Sequence, residues 1–192
     1  MMKRFFLSFA LVASVVLLAT SADTCRAAVP TSDNLMEDVL PEDFQVFATP
    51  YFTISCPKEF QKSDMELGDE YLMLKTERLV FHEDGDEYTS SAQINVNYST
   101  GGPTPNQIGE YAANFKASRK ALEETCDEPV IDGNLVILRT YDGDEDYCTV
   151  NNFFTLIGKD GACIFGIISY DQADAHAYED CVMPIIRSAK FK

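Results

Sequence analysis

Residues 92–98, Ala-Gln-Ile-Asn-Val-Asn-Tyr, alternate apolar and polar side chains without a break, and no other stretch of the chain restricts the fold so tightly. Successive side chains of a strand point to opposite faces, so Ala92, Ile94, Val96 and Tyr98 pack on one side of a sheet while Gln93, Asn95 and Asn97 stand on the other. A helix would scatter both sets around its axis. The chain is therefore expected to build a sheet with one packed face, and other elements must cover that face.

The flanking sequence supplies those elements. Tyr51–Cys56 (YFTISC) predicts an earlier strand, ended by Pro57, which has no N–H to give the ladder. Glu70–Lys75 and Arg78–His82 predict two short strands. Gly101–Gln107 (GGPTPNQ) then breaks the pattern. Ile108, Tyr111, Ala112, Phe115, Leu122 and Cys126 recur at helical spacing and predict an amphipathic helix lying on the sheet. Asn134–Thr140, Tyr147–Ile157 and Ala162–Tyr170 predict an antiparallel meander, joined by YDGDED and by GKDG, whose Asp160-Gly161 favours a tight turn. From Asp171 onward, Ala177, Tyr178, Cys181, Val182, Ile185 and Ala189 form a second helical stripe, which Pro184 is expected to kink or restart. This order of strands and helices is that of an α+β layered domain.

Lys3 and Arg4 precede an apolar run, Phe5–Leu18, and then Ala19, Ser21 and Ala22, the layout of a secretory signal peptide over residues 1–22 with cleavage as late as 27. The run is shorter than the about 20 residues a spanning helix needs, so the mature chain is expected to lack an integral membrane segment and to be secreted or periplasmic. Residues 28–46, with Pro30, Pro41 and many small or acidic residues, read as a flexible acidic leader into a single domain over 47–192. The full chain carries 31 acidic and 15 basic residues, a net charge of −16. Loss of Lys3 and Arg4 with the signal peptide takes this to about −18. Binding to nucleic acid or anionic lipid needs clustered Lys and Arg, so both are disfavoured, whereas a basic protein or a cation is attracted.

Catalytic chemistry has little to work with. The chain has two histidines, His82 and His176, and no serine in a G-x-S-x-G elbow, so a non-enzyme is expected. The acidic turns HEDGDEY and YDGDEDY place Asp84, Asp86, Asp142 and Asp144 as a candidate calcium site should the two turns converge, with no other cofactor expected. The EF-hand pattern itself fails: counting from Asp142, its sixth and twelfth positions hold Tyr147 and Phe153 instead of Gly and Glu, and Asp and Gly are also favoured simply as turn residues. Six cysteines in an exported chain are read first as disulfides, although none forms C-x-x-C. Cys126 and Cys181, each on a predicted helix stripe, are the candidate pair, with buried thiols as the alternative. Cys148 and Cys163 fall at opposite ends of their hairpin. Gln93, Asn95 and Asn97, with Thr149 and Asn151, form a candidate patch for a ligand or an extended peptide, though a half-solvated sheet alternates in the same way.

YFTISCPKEF, the alternating strand, TPNQIGEYAANFKASRKAL, the meander, and CIFGIISYDQADAHAYEDCVMPIIRSAKF follow one another in an order that resembles the Mog1/PsbP-like superfamily, including its DcrB-like bacterial envelope members. The resemblance covers about Phe47–Phe191 and rests on the aromatic strand running into proline and on the terminal IIRSAKF. It implies a central antiparallel β-sheet flanked by helices, an α/β/α sandwich, in a group whose members act mainly as binding or accessory modules and share no catalytic set. The expected function is an exported, non-catalytic binding or accessory protein with an unknown protein partner. Its alternatives are an acidic inhibitor or immunity-type protein for a basic exported enzyme, and a calcium-dependent binding module.

Overall fold

Ala92, Ile94 and Val96 are buried and Gln93, Asn95 and Asn97 are half-buried, as their alternation requires. The computed structural model describes residues 41–65, 67–81, 87–144 and 147–192, the side chains of 78–81, 87 and 88 excepted; all belong to one compact unit, Asp38–Lys192. In chain order the elements are β1 (Phe44–Ala48), β2 (Phe52–Pro57), β3 (Gln61–Lys62), β4 (Tyr71–Phe81), β5 (Glu87–Ser99), α1 (Ile108–Lys120), β6 (Thr125–Cys126), β7 (Val130–Asp132), β8 (Leu135–Gly143), β9 (Cys148–Ile157), β10 (Cys163–Asp171), α2 (Ala175–Arg187) and β11 (Lys190–Phe191). The main sheet is eight-stranded and antiparallel, in the order β3-β4-β5-β10-β9-β8-β6 with β7 also paired to β8. A three-stranded sheet runs β1-β2-β11.

The packed face of the main sheet meets Phe52 and Ile54 of β2 and Tyr178, Val182, Ile185 and Ile186 of α2, all in one core cluster. At the end of α2, Ser188 Oγ accepts from the Ser55 N–H at 2.7 Å and so ties the helix to β2. Contacts of α1 are with the opposite face. Phe115 sets its ring edge-on to Phe153 (5.4 Å) and Phe165 (6.0 Å), and the Tyr111 hydroxyl lies 2.8 Å from that of Thr155. No helix among the described residues is long and apolar enough to cross a membrane.

Several expectations change. The two short strands expected around residues 70–82 are one, β4, held continuous by pairing with β5 from Tyr71↔Asn97 to Phe81↔Glu87. α1 ends at Lys120 and does not reach Cys126: Glu123 takes φ 66, a left-handed conformation that no helix continues. Leu122 is consequently 65% exposed, and Cys126 pairs with Thr140 in β6. Pro184 lies inside a continuous α2, which does not restart. β1 takes in Phe44–Val46 from the stretch read as leader, and β11, which the helical stripe concealed, pairs with Phe52 and Thr53. The Asp160-Gly161 turn forms as expected, with φ of 58 and 75 at the two residues. Cys163 stands opposite Ile157 and Cys148 opposite Gly143, so the hairpin does keep these two thiols apart.

Candidate functional site

The register of the main sheet sorts the side chains of its α1-side face into four cross-strand rows. The first is Tyr71, Asn97, Phe165, Thr155 and Val136, and the second is Met73, Asn95, Ile167, Phe153 and Leu138. α1 covers the β8–β9 side of these rows, where Thr155, Phe153, Val136 and Leu138 are all buried. The third row, Lys75, Gln93, Ser169, Asn151 and Thr140, brings hydroxyls and amides together. In the fourth, Glu77 stands opposite Ser91, and Asp171 opposite Thr149, which is itself opposite Asp142. The face therefore grades from apolar under α1 to amide-rich and then acidic at its open end.

Hydrogen bonds fix the amide rows: Gln93 Nε2 donates to Asn95 Oδ1 at 3.0 Å, and the Ser169 hydroxyl to Asn151 Oδ1 at 2.7 Å. Arg119, at the end of α1, lies 4.1 Å above the Phe153 ring and donates to Glu124 Oε1 at 3.0 Å, forming the boundary between covered and open sheet. A cleft of about 630 Å³ opens over the third and fourth rows, lined by Lys75, Glu77, Ser91, Gln93, Thr149 and Asp171 among others. Gln93, Asn95, Asn97, Thr149 and Asn151 thus share one face, and all five are half-buried. Sequence reasoning missed Lys75, Glu77, Ser169 and Asp171. The signal was present: Lys75 and Glu77 flank the buried Thr76, and Ile167, Ser169 and Asp171 alternate with buried residues of β10.

The other sequence candidates fall elsewhere. Asp142 ends the acidic row, while Asp144 caps the β8–β9 turn: its Oδ1 accepts from the Tyr147 N–H at 3.0 Å. Asp84, Asp86 and His82 lie outside the described residues, among which no group of three or more His, Cys, Asp or Glu could hold a metal ion. His176 is exposed at the start of α2. The pairing weighed for Cys126 and Cys181 is not made. Cys126 stands opposite Thr140, on the α1 side of the sheet, whereas Cys181 belongs to α2, which packs against the other side. All five described cysteines are unbridged, and burial pushes the Cys56 thiol up to about 12, with smaller contributions from Cys181 and Glu59.

A polar cluster lies on the α2 side. The Arg139 guanidinium grips Glu179 with both terminal nitrogens, at 2.5 and 2.7 Å, and Tyr170 donates its hydroxyl to Glu179 Oε2 at 2.8 Å. Among the buried side-chain atoms described for this cluster, Arg139 Nε alone lacks a partner, and Tyr170 also reaches the lining of the cleft of about 630 Å³.

Antiparallel sheets with two helices in this order define a Mog1/PsbP-like α+β fold. The solved structure of the Saccharomyces cerevisiae Ran-binding protein Mog1p is similar over 77% of this chain and 95% of its own, with a TM-score of 0.55 and 12% sequence identity. A Bacteroides thetaiotaomicron VPI-5482 protein is similar over 78% of this chain and 49% of its own, with a TM-score of 0.46 and 10% identity. At 12% identity the likeness to Mog1p is one of fold. No family model matches the chain, and no curated protein sequence matches it.

Proposed function

We propose that this chain is an exported, non-catalytic binding or accessory protein of the cell envelope or secreted fraction, and that it engages a protein partner through the open polar face of its main sheet. The observation that carries the reading is the grading of that face: half-buried amides and hydroxyls lie beside α1, and a cleft opens at Gln93, Ser169 and Thr149. Such a surface can offer hydrogen bonds to an incoming polypeptide. The contacts of α1 and α2 with opposite faces support an α/β/α sandwich, and the likeness to Mog1p, a Ran-binding protein, supports a protein as the partner. The export signal favours the DcrB-like envelope branch of the fold.

Site-specific photo-cross-linking tests the proposal. A photoreactive residue at Asn95 is expected to capture one defined protein in the envelope or secreted fraction, identifiable by mass, while the same residue at exposed Glu110 of α1 captures none. Equal capture at both positions, or none at Asn95, defeats the reading.

A further inference from the structure

The fourth row of the open face gives the partner a chemistry. Glu77 and Asp171 are two strands apart, and Asp171 and Asp142 are two strands apart again. At about 4.8 Å between strands, neighbouring carboxylates of the row are set about 10 Å from each other. That is too wide for two of them to share one metal ion, whose oxygen ligands sit at about 2.3–2.6 Å. It suits a series of separate cationic groups carried on one chain, since alternate side chains of an extended segment share a face about 7 Å apart and the long, flexible stems of lysine and arginine span the remainder. Among the described residues, the carboxylates of Glu77 and Asp142, both exposed, make no hydrogen bond or ion pair. Asp171 uses Oδ1 to accept from the Ala173 N–H. Lys75 is the one basic residue lining the cleft, against Glu77, Asp171 and Asp174, and the whole chain carries a net charge of −16.

We infer that the acidic row Glu77–Asp171–Asp142 receives a basic, extended segment of a protein partner, with a lysine or arginine side chain seated in the cleft between Glu77 and Asp171 and the segment's backbone facing the amide row. The inference rests on the open-face reading and names the partner's chemistry there. Gln93, Ser169 and Asn151 give the segment donors and acceptors that do not depend on its sequence, while the carboxylates select its charge. The cations remain partly solvated at the rim, so the electrostatic part of the affinity falls with salt.

The probe is a fluorescein-labelled peptide of alternating lysine and serine, titrated by anisotropy against the full mature chain at low and physiological salt, with a glutamate–serine peptide beside it. Binding of the lysine peptide alone is expected, weakening as salt rises. Glu77→Gln/Asp142→Asn is expected to weaken it about tenfold. Glu110→Gln/Glu123→Gln, an equal change of charge placed on and after α1, is expected to leave it within about twofold. Equal losses in both variants would reduce the effect to the general field of an acidic protein and overturn the inference, as would absence of binding at low salt. The Asn95 cross-link separates this from the parent reading: capture there that is indifferent to Glu77→Gln/Asp142→Asn removes the basic segment and leaves the open face standing. Absence of capture at Asn95 in the unsubstituted chain removes the parent reading instead.

Discussion

Ser188 shows how much one hydroxyl holds in this fold. It is 7% exposed, accepts from the Ser55 N–H, and lies within hydrogen-bond distance of the carbonyls of Ser55 and Ile185. Ser188→Ala leaves the buried Ser55 N–H without an acceptor and is expected to cost about 1–3 kcal/mol, read as a lower urea midpoint at unchanged slope. The Arg139 cluster acts through protons. Its hydrogen bond to Arg139 holds the Glu179 carboxyl below the usual carboxylate range, so this contribution to stability is present above the ordinary value and lost as pH falls through the lowered one. Burial, and then the bond to Glu179, push the Tyr170 phenol up to about 12. Its contribution is present below the ordinary tyrosine value of about 10 and lost as pH rises through about 12. Glu179→Gln should flatten the acid limb of the stability profile, and Tyr170→Phe the alkaline limb. An unchanged limb in either variant sinks the assignment for that residue. At this scale the sequence was legible wherever burial alternates, as from Ala92 to Tyr98. It was not legible at Cys126, whose place depends on where a helix stops.

α1 is held to the sheet by a small set of side chains. It starts where the sequence says it should: Pro105 opens a short turn whose Thr104 N–H donates to Gln107 Oε1 at 3.0 Å, and Ile108 follows. Its stop carries no sequence signal, because a glutamate and not a glycine takes the positive φ at Glu123. Pairing of Thr125 and Cys126 with β8 imposes that end, and such tertiary demands are invisible to a periodicity count. Ala112 is buried with Val136, Ile157 and Cys163, and Phe115 adds a ring set against Phe153 and Phe165. Phe115→Ala is therefore expected to cost about 3 kcal/mol, with the amides of α1 exchanging faster than those of β5 and β10. Uniform acceleration across all three elements would mean that α1 does not open independently. Undocking it would also bare Phe153, turning the graded face into an apolar one.

On the scale of the whole molecule, the α+β order followed from the sequence because strands and helices keep different periods. The three-stranded sheet did not, because β11 is two residues long and pairs with Phe52 and Thr53 from the far end of the chain. Charge links this scale back to the site. With 31 acidic and 15 basic residues the folded chain compresses like charges, and the row Glu77–Asp171–Asp142 concentrates them on one face. Salt acts on two opposing terms. It screens repulsion between scattered carboxylates, with a Debye length falling from about 30 Å at 0.01 M to about 10 Å at 0.1 M, and it also weakens attraction within ion pairs. The described pairs are Lys116–Glu128, Arg119–Glu124, Arg139–Glu179 and Arg187–Asp132. Exposed pairs contribute about 0–1 kcal/mol each, and the Arg119–Glu124 and Arg139–Glu179 pairs are the better shielded from screening. Repulsion is therefore the larger salt-sensitive term, and sodium chloride between about 0.01 and 0.1 M is expected to raise the melting temperature. Chloride is the right anion for this measurement, since sulfate would also strengthen apolar burial. Glu77→Gln/Asp142→Asn removes charge from the crowded row and should raise the melting temperature at low salt by more than Glu110→Gln/Glu123→Gln does, the difference closing as salt increases. A melting temperature that falls with salt would mean that the ion pairs outweigh the repulsion, and the acidic row would then have no excess field with which to draw a basic segment.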